Sequence, residues 1–132
     1  MSLAPLRKIM YVDDAQDLRT MVEVSLGRLG GYEVKLCDSG EMALVEVLDF
    51  APDLILLDVI MTGMSGSETL ALLRQAPELA NIPVVFMTSK STPEEIADYK
   101  AQGAVGVIPK PFDPMRLPET VQALWEACRL EH

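Results

Sequence analysis

The sequence predicts an α/β fold in which a parallel sheet of five strands is covered by helices on both faces. Three observations carry that reading. Short apolar runs alternate with helix-period stretches five times along 132 residues, the pattern of strands joined by crossover helices. The central runs, Leu54-Ile55-Leu56-Leu57 and Pro83-Val84-Val85-Phe86-Met87, are apolar throughout, which suits strands buried on both faces. The runs also end abruptly on polar chemistry. Val12 leads into Asp13-Asp14, Leu57 into Asp58, Met87 into Thr88-Ser89, and Ile108 into Pro109-Lys110-Pro111. Right-handed crossovers place every strand's C-terminal edge on one side, so these polar ends meet.

Each element has its own justification. Strand one spans Lys8 to Val12. Helix one begins near Ala15 and carries Leu18, Met21, Val22, Val24, Ser25 and Leu29. Gly30-Gly31 ends it, since glycine tolerates the left-handed cap. Strand two runs from Tyr32 to Cys37. Helix two runs from about Gly40 to Phe50, with Ala43, Leu44, Val47 and Leu48 as its apolar stripe. Ala51-Pro52-Asp53 turns the chain into strand three, Leu54 to Leu57. A loop from Thr62 to Gly66 leads to helix three, which ends near Gln75. A loop with Pro77 leads into strand four at Pro83. Thr92-Pro93-Glu94-Glu95 opens helix four with a capping hydroxyl and a proline at the first helical position. That helix ends before Gly103, and strand five is Val105 to Ile108. After a turn at Asp113-Pro114, the final helix is regular from near Leu117 to about Arg129.

Composition narrows the function. The length fits one domain, residues 1–132, and 49% hydrophobic residues supply a substantial core. No stretch approaches the roughly 20 apolar residues of a membrane helix, and no signal peptide opens the chain. A cytoplasmic protein without membrane insertion is expected. The net charge of −9 repels polyphosphate backbones, so direct nucleic-acid binding is not expected. Cys37 and Cys128 lack metal-ligand spacing and read as reduced, buried cysteines. The single histidine is His132, which leaves no histidine for acid/base catalysis or phosphotransfer within the fold.

The candidate site is the set of strand ends. Carboxylates are seldom buried without partners, so Asp58 at the end of an apolar run is out of place unless it works there. Alone it could cap a turn, and alone Asp13-Asp14 could cap helix one. Together they form a cluster whose mutual repulsion a hard cation such as magnesium would relieve. A carboxylate in that setting can be a metal ligand or a nucleophile toward phosphorus. Lys110 is either a solvated turn lysine or a fixed positive charge that neutralises the acids and later a phosphoryl oxygen. Thr88 is either an ordinary strand-end threonine or a hydroxyl donor to such an oxygen.

In these pieces, taken in order, the sequence resembles the receiver domain of two-component response regulators. The resemblance runs from Lys8 to Arg129. It rests on Asp13-Asp14, on Asp58-Val59-Ile60-Met61 with Gly63 and Gly66, on Thr88-Ser89 and on Lys110-Pro111-Phe112. It implies a flavodoxin-like, doubly wound sheet of order 2-1-3-4-5, an order the chemotaxis receiver exemplifies. It implies phosphoryl transfer to Asp58 from a histidine kinase or histidine phosphotransfer protein. Mg²⁺ would be held by Asp14, Asp58, the Ile60 carbonyl and, partly through water, Asp13. Thr88 and Lys110 would complete the reaction site. The implied output is a downstream protein bound at the helix four, strand five and helix five face, where Glu95, Asp98, Lys100 and Gln102 are expected to be exposed. Catalysis would be confined to self-phosphorylation and self-dephosphorylation.

Two alternatives from other classes fit less well. An aspartate-based phosphohydrolase usually needs an acid two residues past the nucleophile, where this chain has Ile60. A flavin-binding module needs a hydroxyl- and glycine-rich loop after strand one, where this chain has Asp13-Asp14-Ala15-Gln16-Asp17. Two departures from the family pattern stand out: Thr62 replaces a frequent proline, and Val107 replaces a usual aromatic. Activation is therefore expected without an aromatic switch, with the Lys90 ammonium approaching the phosphoryl oxygens or the acids. A cis Lys110–Pro111 bond is also expected, because only an X-Pro bond makes cis geometry accessible.

Overall fold

The computed structural model describes residues 4–130, so His132 lies outside the described residues. The strands are β1 (Lys8–Val12), β2 (Glu33–Cys37), β3 (Leu54–Asp58), β4 (Val84–Thr88) and β5 (Gly106–Pro109). The helices are α1 (Gln16–Val22), α2 (Gly40–Phe50), α3 (Gly66–Gln75), α4 (Pro93–Ala101) and α5 (Leu117–Leu130). All strand pairs are parallel, in the order β2-β1-β3-β4-β5. The order reverses between β1 and β3, and such switch points open a crevice at the carboxyl ends of the strands.

Two cores form because alternate strand residues face opposite sides. Met10, Val12, Ile55, Leu57, Val84 and Phe86 pack with Ala43 and Val47 of α2, Leu70 and Leu73 of α3, and Tyr99 of α4. Ile9, Tyr11, Leu54, Leu56, Val85 and Ile108 pack on the other face with Val22, Leu26, Val121 and Trp125. Every residue of β3 and β4 is buried, as their unbroken apolar sequences require. The buried strands include Asp58 and Thr88 themselves, one residue beyond the expected apolar runs.

The caps follow the sequence signals. The Ser39 hydroxyl accepts from the Met42 amide, and Ser65–Glu68 and Thr92–Glu95 form reciprocal capping boxes. Pro93 occupies the first turn of α4. The Lys110–Pro111 peptide is cis, as expected.

Helix one departs from expectation. It is α-helical only to Val22 and continues as a π-helical segment, Glu23–Leu29. Val22, Ser25 and Leu26 keep one buried face, and the wider π winding turns Leu29 off that face, while Val24 also faces outward. The buried Ser25 hydroxyl donates to the Pro114 carbonyl at 2.6 Å, tying this segment to the turn before α5. Leu48 of α2, expected inward, is 61% exposed. Ala43 and Val47 supply the buried stripe there.

Candidate functional site

The fold delivers the polar strand ends to one place. Asp13, Asp58 and Lys110 each follow an α1/α5-facing residue, namely Tyr11, Leu56 and Ile108, by two positions. Their side chains therefore converge on that side. Thr88 follows Phe86 and starts from the opposite side. The Lys110 amide donates to the Thr88 carbonyl at 2.9 Å, which holds the ends of β4 and β5 together.

Lys110 is the electrostatic hub. Its ammonium lies 2.9 Å from Asp58 Oδ1 and 3.1 Å from Asp13 Oδ2. Asp13 is 1% and Asp58 6% exposed, whereas Asp14 is exposed. Burial raises the Asp58 pKa above the usual carboxylate value, the Lys110 hydrogen bond opposes the rise, and the charges of Asp13 and Asp14 add to it. Burial pulls the Lys110 ammonium down, but its bonds to Asp58 and Asp13 outweigh that, and its pKa lies above the ordinary value. Asp58 is thus a carboxylate whose charge is held at a cost.

Asp13, Asp14 and Asp58 each offer an oxygen, and these oxygens lie within 4.8 Å of one another. An all-oxygen carboxylate set fits a hard divalent cation such as Mg²⁺. The Thr62 amide donates to Asp14 Oδ2 at 2.8 Å and fixes that side chain from the loop after β3. Gly66 shapes the same loop: a Cβ there would overlap the Asp58 carbonyl and Val59 Cα. Ile60 lies in this loop with its side chain 59% exposed.

Thr88 is buried, and its Oγ1 accepts from the Lys90 amide at 3.0 Å. It is the Lys90 backbone, therefore, that reaches the threonine. The Lys90 ammonium is exposed and forms no ion pair among the described residues. A cavity of about 350 Å³ opens beside Lys110, lined by Leu18, Met21, Ser89, Pro111 and Phe112.

The sequence reading missed several supports of the site. Tyr11 donates to Asp13 Oδ2 at 2.5 Å, the Ala15 amide donates to Asp13 Oδ1 at 2.9 Å, and Arg19 donates to the Asp13 carbonyl at 2.8 Å. Burial, then the bond to Asp13, raises the Tyr11 pKa. The available signal was a polar aromatic two residues before Asp13, hence on the same face.

A 2-1-3-4-5 parallel sheet with acids from β1 and β3 opposed by a lysine after β5 defines a receiver-type signalling domain. Residues 9–122 match the family model of the response regulator receiver domain, and the chain belongs to that family. The chain is similar to the Vibrio cholerae chemotaxis protein CheY4, with 34% identity and a TM-score of 0.83, covering 90% of this chain and 98% of that one. It is also similar to the receiver domain of a signal transduction histidine kinase from Syntrophus aciditrophicus. There identity is 28% and the TM-score 0.79, over 92% of this chain and 91% of that one. Among curated sequences it is 32% identical over 118 residues to the phosphate regulon transcriptional regulatory protein PhoB of Pseudomonas aeruginosa, covering 89% of this chain and 51% of that protein. The chain spans from 24% to 55% of the length of the most similar of these curated relatives. Among the described residues, no helix is long and apolar enough to cross a membrane.

Proposed function

We propose that this receiver accepts a phosphoryl group on Asp58 from a histidine kinase or histidine phosphotransfer protein and thereby changes a protein-binding surface. The observation that carries the reading is the Lys110 ammonium bridging Asp58 and Asp13 at the β1/β3 switch point, with the Thr88 hydroxyl at the end of the next strand. Asp58 Oδ attacks phosphorus, the phosphorus–nitrogen bond of the phosphohistidine breaks, and the histidine nitrogen leaves with the electron pair and is protonated by solvent. Lys110 follows the negative charge from the carboxylate to a phosphoryl oxygen. Thr88, its oxygen already accepting from Lys90, keeps its O–H for a second phosphoryl oxygen. Asp14, Asp58 and the Ile60 carbonyl, with Asp13 through water, are the residues that would hold Mg²⁺. The cation supplies charge neutralisation for an approaching phosphoryl group.

The apolar cavity beside Lys110 supports approach of the donor from the α1 side. The output face we assign to α4, β5 and α5, where Asp98 and Lys100 are exposed and Glu95 and Gln102 half-buried. Residues 1–132 act in this reading as one receiver unit in the cytoplasm, with no catalysis beyond the domain's own phosphorylation and dephosphorylation. A net charge of −9 argues against direct nucleic-acid contact by this unit.

The test is labelling with acetyl phosphate or a kinase, with and without Mg²⁺, and mapping of the product by mass spectrometry. Mg²⁺-dependent mass gain on Asp58, lost in Asp58→Asn, is expected. Label on another residue, or undiminished labelling of Asp58→Asn, would overturn the assignment.

A further inference from the structure

We infer that Tyr11 is a positioning residue for the acid cluster: its phenol occupies Asp13 and so leaves Asp14 and Asp58 as the carboxylates most open to a divalent cation. This inference rests on the phosphoacceptor reading and adds to it a residue of the sheet interior. Tyr11 is fully buried among apolar neighbours of the α1/α5 face, where a phenylalanine ring would fill the same space. Its hydroxyl instead reaches Asp13 Oδ2 at 2.5 Å, a length typical of a charge-assisted O–H···O⁻ bond.

Counting acceptor sites shows the consequence. A carboxylate offers about four lone-pair directions. Three on Asp13 are spent: Oδ1 on the Ala15 amide, and Oδ2 on both Tyr11 and Lys110. Among the described residues, Asp14 accepts only from the Thr62 amide and Asp58 only from Lys110. A cation therefore meets open oxygens on Asp14 and Asp58 and a largely saturated carboxylate on Asp13. The phenol also withdraws electron density from the very oxygen that Lys110 shares. The ammonium lies 3.1 Å from Asp13 but 2.9 Å from Asp58. Tyr11 thus competes for Asp13 with two cations, the lysine that shares its Oδ2 and the metal.

Tyr11→Phe keeps the ring and deletes the donor. Isothermal titration of Mg²⁺ into both proteins is expected to show binding about fivefold tighter in the variant, because one charge-assisted competitor for Asp13 is gone. Unchanged or weaker binding would overturn the inference. Should the variant fold poorly, the wild type decides. The Tyr11 ¹³Cζ resonance should move during a Mg²⁺ titration, and a stationary resonance would show a ring that only fills the core. The two readings fail differently. Wild type that binds no Mg²⁺ would sink the metal assignment itself. Wild type that binds Mg²⁺ and labels at Asp58, with Tyr11→Phe behaving identically, would sink only the role of Tyr11.

Discussion

Lys110→Met removes the ammonium that bridges Asp13 and Asp58 while keeping most of the side chain's length. At an effective dielectric near 20, each lysine–carboxylate contact at about 3 Å is worth about 5 kcal/mol, and each pair of carboxylates near 4.8 Å costs about 3 kcal/mol. Two attractions and three repulsions nearly cancel with the lysine present. Without it about 10 kcal/mol of gross repulsion stands alone, and relaxation and proton uptake absorb most of it. Breaking a buried pair by removing one partner typically leaves a loss of about 3 kcal/mol. The variant should therefore unfold at lower urea than wild type at pH 7 in chelator, and Mg²⁺ should recover much of the difference. Acid should narrow the gap as well. Asp58 already has a raised pKa in the folded state, and losing Lys110 raises it further. Stability tied to such a group is fully present below its unfolded pKa, near 4, and is lost as pH rises through the folded value. The deficit of Lys110→Met should thus be larger at pH 7 than at pH 5. Urea curves followed by circular dichroism in chelator and in Mg²⁺ make the measurement. Equal stability in chelator, or a deficit that neither Mg²⁺ nor acid reduces, would refute this account of the site.

Two further outcomes are expected. Gly66→Ala should cost about 2 kcal/mol and slow Asp58 labelling, because the new Cβ overlaps the Asp58 carbonyl and the backbone carrying the acceptor must shift. Urea midpoints and acetyl phosphate labelling check both, and wild-type values in each would show that the loop yields freely. Leu18→Asp should reduce transfer from a phosphohistidine protein by roughly tenfold or more while leaving acetyl phosphate labelling nearly unchanged, since a leucine buried at an interface is worth about 1.5–3 kcal/mol. Equal losses with both donors would show that the cavity serves the site's own integrity and not docking.

Most of the architecture was legible because the rules governing it act locally. Apolar runs of four or five residues separated by helix-period segments read as buried strands, and the polar residues at their ends mark where the chain leaves the sheet. Thr92-Pro93 carried its cap openly, whereas the Ser65–Glu68 box reads in the sequence only as a loop leading into a helix. The constellation was legible for the converse reason: Asp58 contradicts the run that precedes it. What escaped depended on winding and direction. Nothing in Glu23-Val24-Ser25-Leu26 announces a π turn: Val22 and Ser25 are buried as expected, but Val24 and Leu29 face outward and Leu26, absent from the expected stripe, is buried. Tyr11 escaped because aromatic residues are ordinary in strands, and only the path of its hydroxyl separates it from core filling. Lys90 was legible as a residue two beyond Thr88 whose ammonium could approach the acids, but its backbone amide bond to the Thr88 hydroxyl depends on how tightly the loop turns.

That loop also bears on how a receiver with valine at position 107 can respond. Val107 sits opposite Phe86 in the β4–β5 register and is half-buried against the core that contains Phe86, Tyr99 and Ala104. The aromatic contact in this region is supplied from the helix: the Tyr99 ring of α4 meets Phe86 edge-on, with centroids 5.3 Å apart. Phe86 and Thr88 share a face of β4, and the Thr88 hydroxyl holds the Lys90 amide at the start of the segment leading to α4. Thr88 is thus joined to Tyr99 twice, through the strand beneath and through the loop above. A threonine that turned its hydroxyl toward a phosphoryl oxygen would redirect the acceptor of the Lys90 amide. The segment up to the Thr92 cap would then settle differently, and α4 with its buried tyrosine would feel the change. A response carried by α4 would not require a ring on β5.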